Sequence, residues 1–149
     1  MLSLVEQVIF EPGASAVGFR WMAAYATCVG AGCGYSGTHA AHGAVDAGVA
    51  LPRVVAAAYA PEDGGFGIGE QLLLKMAGAI GRTGDGSSCA EAAREQAGEA
   101  VLAETALVCA VFGLFNRWNR TMQTELEPDL QGFAEQLAAE IRCHGSARP

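Results

Sequence analysis

The chain has 149 residues, the usual size of one domain and enough to bury a core without disulfides or metals. Its net charge is −7 and its nine lysines and arginines are scattered, which argues against binding to nucleic acid or to an anionic membrane. The N-terminus has no basic start and carries Glu6 and Glu11, and the five cysteines are an odd number. We therefore expect a cytoplasmic protein with reduced thiols rather than a secreted one.

Apolar residues recur at helical spacing along the chain, and no run alternates as a strand would. We predict one all-α domain over residues 1–149, a multi-helix bundle of about six or seven helices. Residues 1–13 read as an N-terminal arm and residues 144–149 as a flexible tail. The predicted helices cover residues 14–29, 33–47, 52–60, 67–80, 89–97, 99–124 and 129–143.

The longest predicted helix contains an apolar stretch from Thr105 to Phe115. This stretch is shorter than the roughly 20 residues that span a bilayer, so it predicts a buried helix. An almost wholly apolar segment should be enclosed on all sides. One small bundle does not need such a helix, so we also predict a homo-oligomer.

The segment from Cys28 to His42 carries the most chemistry. Cys33 follows Gly30-Ala31-Gly32 and lies where the next helix begins. Free N–H groups and the helix dipole at such a point favour an anion, and the thiolate is the nucleophilic form of cysteine. His39 comes six residues later, and His42 lies one turn beyond it on the same helical face. We predict Cys33 as nucleophile, His39 as its proton partner and His42 as a further catalytic candidate.

The segment Cys33-Gly-Tyr35-Ser36-Gly-Thr-His39 resembles the Cys-x-Tyr-Cys-x-x-x-His segment of the AhpD-like alkylhydroperoxidase and carboxymuconolactone decarboxylase family. A second block, from Phe112 to Pro128, is similar to a conserved helix end of that family, and the whole resemblance covers about residues 14–128. It implies an all-α protein that assembles as a trimer or a multiple of a trimer. It also implies a small-molecule substrate and no cofactor.

The chain departs from the family pattern at positions that matter for redox chemistry. Cys33 matches the first motif cysteine, but Ser36 stands where the second would be. Trp21 occupies the place of the family's glutamate, and Ala40 the place of its usual histidine, with His39 one position earlier. A disulfide between positions 33 and 36 is therefore impossible. Either Cys28 or an external thiol, from a glutathione-like compound or another protein, would have to replace the second cysteine.

Three functions remain open. The first is a thiol-dependent oxidoreductase with peroxidase or related antioxidant activity, in which Cys33 is the nucleophile. The second is a non-redox enzyme of the decarboxylase type, acting on a small carboxylated or lactone metabolite, with His39 or His42 as acid or base. In that reading Tyr35 and Ser36 orient the substrate and Arg20 holds a carboxylate. The third is a binding protein that keeps the fold without the chemistry.

The other candidate groups have simpler explanations. Free cysteines are commonly buried, so Cys89, Cys109 and Cys143 are read as structural. We predict no metal site, because no carboxylate or further thiol stands at ligand spacing near Cys33. A polar cluster follows the apolar helix, and we expect it to satisfy backbone carbonyls or to form a subunit contact. Its members are Asn116, Arg117, Asn119 and Arg120.

Overall fold

A computed structural model describes residues 2–146, and all of their regular structure is helical, which confirms the all-α prediction. Short 3-10 turns over Pro61–Asp63 and Pro128–Leu130 precede the fifth and eighth α-helices. The α-helices of the described residues are α1 (Leu2–Phe10), α2 (Val17–Ala31), α3 (Gly34–Asp46), α4 (Leu51–Tyr59), α5 (Ile68–Thr83), α6 (Ser87–Ala97), α7 (Glu99–Met122) and α8 (Gln131–Ser146).

Helix α2 is the centre of the bundle and packs against α1, α3, α4, α5 and α7. Its contact with α5 is very close, because glycines occupy the crossing. A Cβ on Gly30 would lie 2.3 Å from the carbonyl oxygen of Gly78, and one on Gly81 would lie 2.1 Å from that of Thr27. Only a residue without a side chain fits either place. This crossing fixes the C-terminal end of α2, where the candidate site begins.

The structure corrects the predicted N-terminal arm: residues 2–10 form helix α1. Val8 and Ile9 are buried, and Val5 packs partly against the same core. These three residues share one helical face, so they cover apolar surface on α7 that would otherwise face water. At the other end of the chain, α8 continues to Ser146, past the predicted end at residue 143. The rest of the predicted tail, residues 147–149, lies outside the described residues.

Helix α7 packs against α1, α2, α3, α5 and α6, but only through one face. The side chains of Leu107 (56%), Leu114 (55%), Trp118 (52%) and Met122 (58%) are more than half exposed. Within one chain the helix is therefore enclosed on one face only, and its enclosure on all sides stays a prediction for the assembly. Hydrophobicity along a sequence cannot tell which apolar face meets neighbours in the same chain. By length and composition alone, α7 is also the one described helix that could cross a membrane, a test that the core helix of a soluble protein passes too.

Candidate functional site

A left-handed turn between α2 and α3 positions Cys33. Gly32 has a φ of 66° and ends α2, and the N–H of Cys33 donates to the carbonyl of Cys28 over 3.0 Å. This pattern of bonds is typical of a glycine-terminated helix. The chain then turns so that Cys33 is the residue immediately before α3. The predicted helix start at Cys33 is thus close to the observed one, and the thiol lies at the positive end of the α3 dipole.

The Cys33 thiol donates a hydrogen bond to the Ser36 hydroxyl oxygen at 3.3 Å. The side-chain amide of Asn119 donates to the same oxygen at 3.0 Å, and Thr124 in turn donates to the carbonyl oxygen of that amide at 3.1 Å. Because the Ser36 oxygen accepts from two donors, its own hydrogen is free to turn toward a thiolate. The arrangement can therefore support the negative form of Cys33 as well as the neutral form.

Cys33 borders a cavity of about 370 Å³, which we call cavity A. Cys28 and Tyr25 of α2, Tyr59 of α4 and Leu137 of α8 also line this cavity. Its walls are mainly apolar, as in most sites for small organic molecules. Cys33 thus borders a space in which a small ligand fits, although the residue is only 5% exposed.

A second thiol, that of Cys28, lies on the same cavity and is fully buried. Burial raises the pKa of Cys28 far above its ordinary value, and the neighbouring Cys33 thiol raises it further. The Asn116 amide beside it lowers the pKa by less. Cys28 is therefore a protonated thiol at neutral pH, next to the more accessible Cys33.

Tyr25 is a site residue that the sequence analysis missed. Its hydroxyl is buried, and burial raises the pKa of Tyr25, as does the adjacent Tyr59. The phenol therefore stays neutral and can donate a hydrogen bond into cavity A. Tyr25 precedes Cys28 by three residues on α2, so the shared helical face was the available signal.

His39 and Tyr35 contact the same carboxylate, that of Glu127. The Nε2 atom of His39 lies 2.9 Å from Oε2 of Glu127, and the Tyr35 hydroxyl donates to Oε1 at 2.8 Å. A hydrogen bond from its own backbone N–H, with those from Tyr35 and His39, holds the pKa of Glu127 below its ordinary value. Partial burial and the Glu127 carboxylate raise the pKa of Tyr35 to about 12.

The predicted proton partnership between Cys33 and His39 is not what the geometry shows. The thiol bonds to Ser36, whereas the imidazole bonds to Glu127. His39, Tyr35 and Ser36 line a separate cavity of about 360 Å³, cavity B. Ser36 is the link between the two places, because it borders cavity B and bonds to the thiol of cavity A.

His42 lies apart from both cavities. Its Nδ1 is 3.1 Å from the Asp46 carboxylate one turn along α3, and its ring packs edge-on against Phe133 of α8. The structure does not bring this predicted catalytic candidate to the thiol. Within residues 2–146, no three His, Cys, Asp or Glu side chains meet as metal ligands would.

Arg20 has a structural role instead of the predicted substrate contact. Its guanidinium is buried, lies 3.0 Å from a Glu104 oxygen, and donates to the backbone carbonyls of Ile9, Glu11 and Ser15. All of its nitrogens have partners, so it cannot hold a substrate carboxylate. The Arg20 guanidinium thus links the end of α1 to the start of α2.

Trp21 stands where the resemblance places a glutamate, and its ring is an apolar wall of cavity B. It packs edge-on against Phe10 and Phe112, with ring centroids 6.1 Å and 5.9 Å away. This side chain cannot relay a proton. The structure therefore gives position 21 a packing role and no acid–base role.

The polar cluster of α7 divides between structure and site. Arg117 and Arg120 donate to the carbonyls of Gly113 (3.3 Å) and Ala31 (2.8 Å), as expected for residues that satisfy the backbone. Asn119 instead supports Ser36, which the sequence did not reveal.

The fold is shared with a known enzyme. A cysteine-to-alanine variant of the debrominase Bmp8, in complex with 2,3,4-tribromopyrrole, superposes with a TM-score of 0.80 at 20% identity, covering 91% of this chain and 73% of that one. The apo form of Bmp8 gives 0.79 at 21% identity, with the same coverage. No family model matches the chain, and no curated protein sequence aligns with it significantly. At this identity the likeness shows the fold alone.

Proposed function

We propose that this protein is an AhpD-like, thiol-dependent oxidoreductase in which Cys33 attacks a small hydroperoxide held in cavity A. One observation carries the proposal: the Cys33 thiol borders a mainly apolar cavity at the N-terminus of α3, bonded to a hydroxyl that can also donate to a thiolate. Unpaired N–H groups at the helix start stabilise the negative charge that the nucleophile needs.

The two thiols of cavity A are oxidised in two steps, and a third step reduces them again. The Cys33 thiolate attacks the terminal oxygen of the hydroperoxide, the O–O bond breaks, and the alkoxide takes a proton from water. Cys33 is then a sulfenic acid. The Cys28 sulfur attacks it, water leaves, and a Cys28–Cys33 disulfide forms. An external dithiol reduces this disulfide and is itself oxidised.

Cys28 is better suited to attack the sulfenic acid of Cys33 than to attack the hydroperoxide. Its high pKa and complete burial make it a poor attacking group for an incoming peroxide. It does lie on the same cavity as Cys33, and its carbonyl accepts a hydrogen bond from the N–H of Cys33 over 3.0 Å, so the two residues are adjacent at the end of α2. Cys28 thereby supplies the thiol that Ser36 does not.

The structural neighbour supports a functional cysteine on this fold. The complex of the debrominase with a brominated pyrrole was obtained with a cysteine replaced by alanine. We propose the hydroperoxide as substrate because the resemblance at Cys33 to His39 points to peroxide chemistry.

The test is peroxide consumption with a dithiol as reductant, in the parent protein and in three variants. Cys33→Ser should lose turnover. Cys28→Ser should also lose turnover but accumulate a sulfenic acid that dimedone traps. Cys143→Ser, which removes an exposed thiol far along the chain, is the control and should retain the parental rate. Parental turnover in Cys33→Ser would overturn the proposal, and so would a parent protein that consumes no hydroperoxide.

Acid–base chemistry at cavity B is the second candidate, because Glu127 orients the His39 imidazole beside that cavity. A non-redox enzyme of the decarboxylase type would use His39 as its acid or base. Its activity on a small carboxylated or lactone metabolite would survive Cys33→Ser and be lost in His39→Gln. A protein inactive in both assays, but retaining ligand binding, would be the third type, a binding protein.

Assembly with further copies of the chain is part of the same proposal. Helix α7 has an exposed apolar stripe formed by Leu107, Leu114, Trp118 and Met122. Single exposed hydrophobic residues are normal on a protein surface, whereas a larger apolar patch marks an interaction site. Phe10 of α1 is also 57% exposed, and α1 packs against α7. Covering this surface with another subunit would remove it from water, as the expected trimer or multiple of a trimer would do.

A further inference from the structure

The ends of α5 and α7 border a groove of about 640 Å³ beside the C-terminus of α2. Three arginines line it, Arg82 from α5 and Arg117 and Arg120 from α7, and we call it the arginine groove. The threonines at positions 83 and 121 and the end of α2 complete its polar wall. None of its lining residues borders cavity A or cavity B.

The charges of the groove are unusual for this protein. The net charge is −7, yet a third of the nine basic side chains converge here. Across residues 2–146, Arg20, Lys75 and Arg94 are paired with carboxylates, whereas none of the three groove arginines makes an ion pair. The nearest acid in sequence, Asp85, accepts a hydrogen bond from the N–H of Ser87.

Each groove arginine retains most of its donors. Arg117 and Arg120 each give one N–H to a backbone carbonyl, of Gly113 and Ala31 respectively. A guanidinium carries five N–H donors in a planar fork, so the remainder can meet an oxyanion in the bidentate manner typical of arginine. Three positive charges close together repel one another, and a bound anion would relieve that repulsion.

A buried amide forms part of the floor of the groove. Asn116 lines the groove but is only 2% exposed. Both polar atoms of its side chain are buried, and the amide lies beside the Cys28 sulfur, where it lowers the pKa of that thiol. A buried amide normally satisfies more than one hydrogen bond, since leaving a polar group without a partner costs roughly 1–3 kcal/mol. Asn116 therefore belongs to the floor of the groove, and the three arginines are the groups that would meet a ligand.

We propose that the arginine groove binds a small oxyanion carrying two or more phosphate or carboxylate groups. Multiple charge is expected because three guanidinium groups face one space. The groove volume is sufficient for a small metabolite. The three arginines do not line cavity A or cavity B, so anion binding can be tested separately from the thiol chemistry.

The test is isothermal titration of the purified protein with pyrophosphate and, separately, with citrate. We expect one or both to bind, and the Arg82→Gln/Arg117→Gln variant to bind at least about tenfold more weakly, a loss of about 1.4 kcal/mol or more. Arg120 is left intact because it bonds to the end of α2. Arg142→Gln, an exposed arginine outside the groove, is the matched control and should bind as the parent does.

The two ligands distinguish the two sources of the anion. Tighter binding of pyrophosphate assigns a phosphorylated compound, and tighter binding of citrate assigns a polycarboxylate. Absence of binding by the parent would overturn the proposal, as would equal affinity in the parent and the double variant. Sedimentation of the same samples provides a further check. Dissociation of an oligomer in the double variant, without anion binding by the parent, would make the groove a subunit contact and overturn the proposal too.

Discussion

The Cys33 sulfur lies 3.3 Å from the hydroxyl oxygen of Ser36, three residues along the chain. The hydroxyl is itself held by the Asn119 amide from α7. Serine at this position cannot form a disulfide with Cys33. Its hydrogen bond still links the thiol to the bundle core.

A cysteine at position 36 should form a disulfide with Cys33. In Ser36→Cys, the new sulfur would replace an oxygen that already contacts Cys33, and positions three apart at a helix start meet the spacing that a disulfide requires. After mild oxidation we expect mass spectrometry of alkylated peptides to find a bond between residues 33 and 36. The Cys33→Ser/Ser36→Cys variant is the control and cannot form it. A Ser36→Cys protein with both thiols still free would contradict the prediction.

Removing the Ser36 hydroxyl should slow the alkylation of the Cys33 thiol. Ser36→Ala deletes the hydrogen bond that can be donated to a thiolate, and a hydrogen bond to a charged group is worth about 1.5–3 kcal/mol. We expect alkylation of Cys33 by iodoacetamide at neutral pH to slow by about tenfold. The rate is read from the modified Cys33 peptide, with exposed Cys143 as the internal reference. An unchanged ratio of the two rates would show that Ser36 does not support the thiolate.

Glu127 should control the titration of Tyr35. Partial burial and the carboxylate raise the pKa of Tyr35 from the ordinary 10.0 to about 12, because a phenolate beside a carboxylate is disfavoured. Glu127→Gln removes that negative charge, so the pKa of Tyr35 should fall toward 10.0. Ultraviolet absorbance of tyrosinate reports it. In the Glu127→Gln/Tyr35→Phe variant, the part of the absorbance change that comes from Tyr35 should be absent.

Glu104 should stabilise the fold in a pH-dependent manner. Burial raises the pKa of its carboxyl, but hydrogen bonds from Ser15 and Ala14 and the charge of Arg20 together hold it below the ordinary value. A group with a lowered folded pKa contributes stability above its unfolded pKa, and the contribution is lost as the pH falls through the folded pKa. Glu104→Gln leaves the Arg20 charge buried, so at neutral pH we expect a loss of about 3 kcal/mol.

Urea unfolding at neutral and acidic pH measures this effect. The difference between parent and Glu104→Gln should shrink in acid, where the parent carboxyl also becomes neutral. Glu91→Gln is the control, because Glu91 pairs with Arg94 on the exposed surface, where an ion pair is worth at most about 1 kcal/mol. An equal loss in the two variants would indicate that the Arg20 pair is no stronger than a surface pair.

Charges on the outer face of α7 should disrupt self-association. Leu107 and Leu114 are over half exposed and lie two turns apart on one face. In the Leu107→Glu/Leu114→Glu variant, two carboxylates would have to enter an apolar interface, so we expect sedimentation to show a smaller species than the parent. Ile68→Glu, on the exposed start of α5, is the control and should leave the mass unchanged. A parent that sediments as a monomer would contradict the predicted assembly.

The sequence by itself determined the helices and the location of the thiol, because these are local properties. Apolar spacing predicted the seven helices from α2 to α8 to within a few residues, and the Gly-Ala-Gly break predicted that Cys33 would stand at a helix start. A loosely held arm was predicted where α1 forms. The sequence did not reveal this short helix, because it is stabilised by the surface it covers and not by its own composition.

Only the tertiary structure decided which side chains meet. His39 contacts Glu127, which is 88 residues away in the sequence, and Ser36 accepts a hydrogen bond from Asn119, which is 83 residues away. No periodicity carries such information, because these contacts depend on how α3 and α7 pack around α2. The same packing turned Arg20 inward to Glu104, and it left the hydrophobic outer face of α7 exposed.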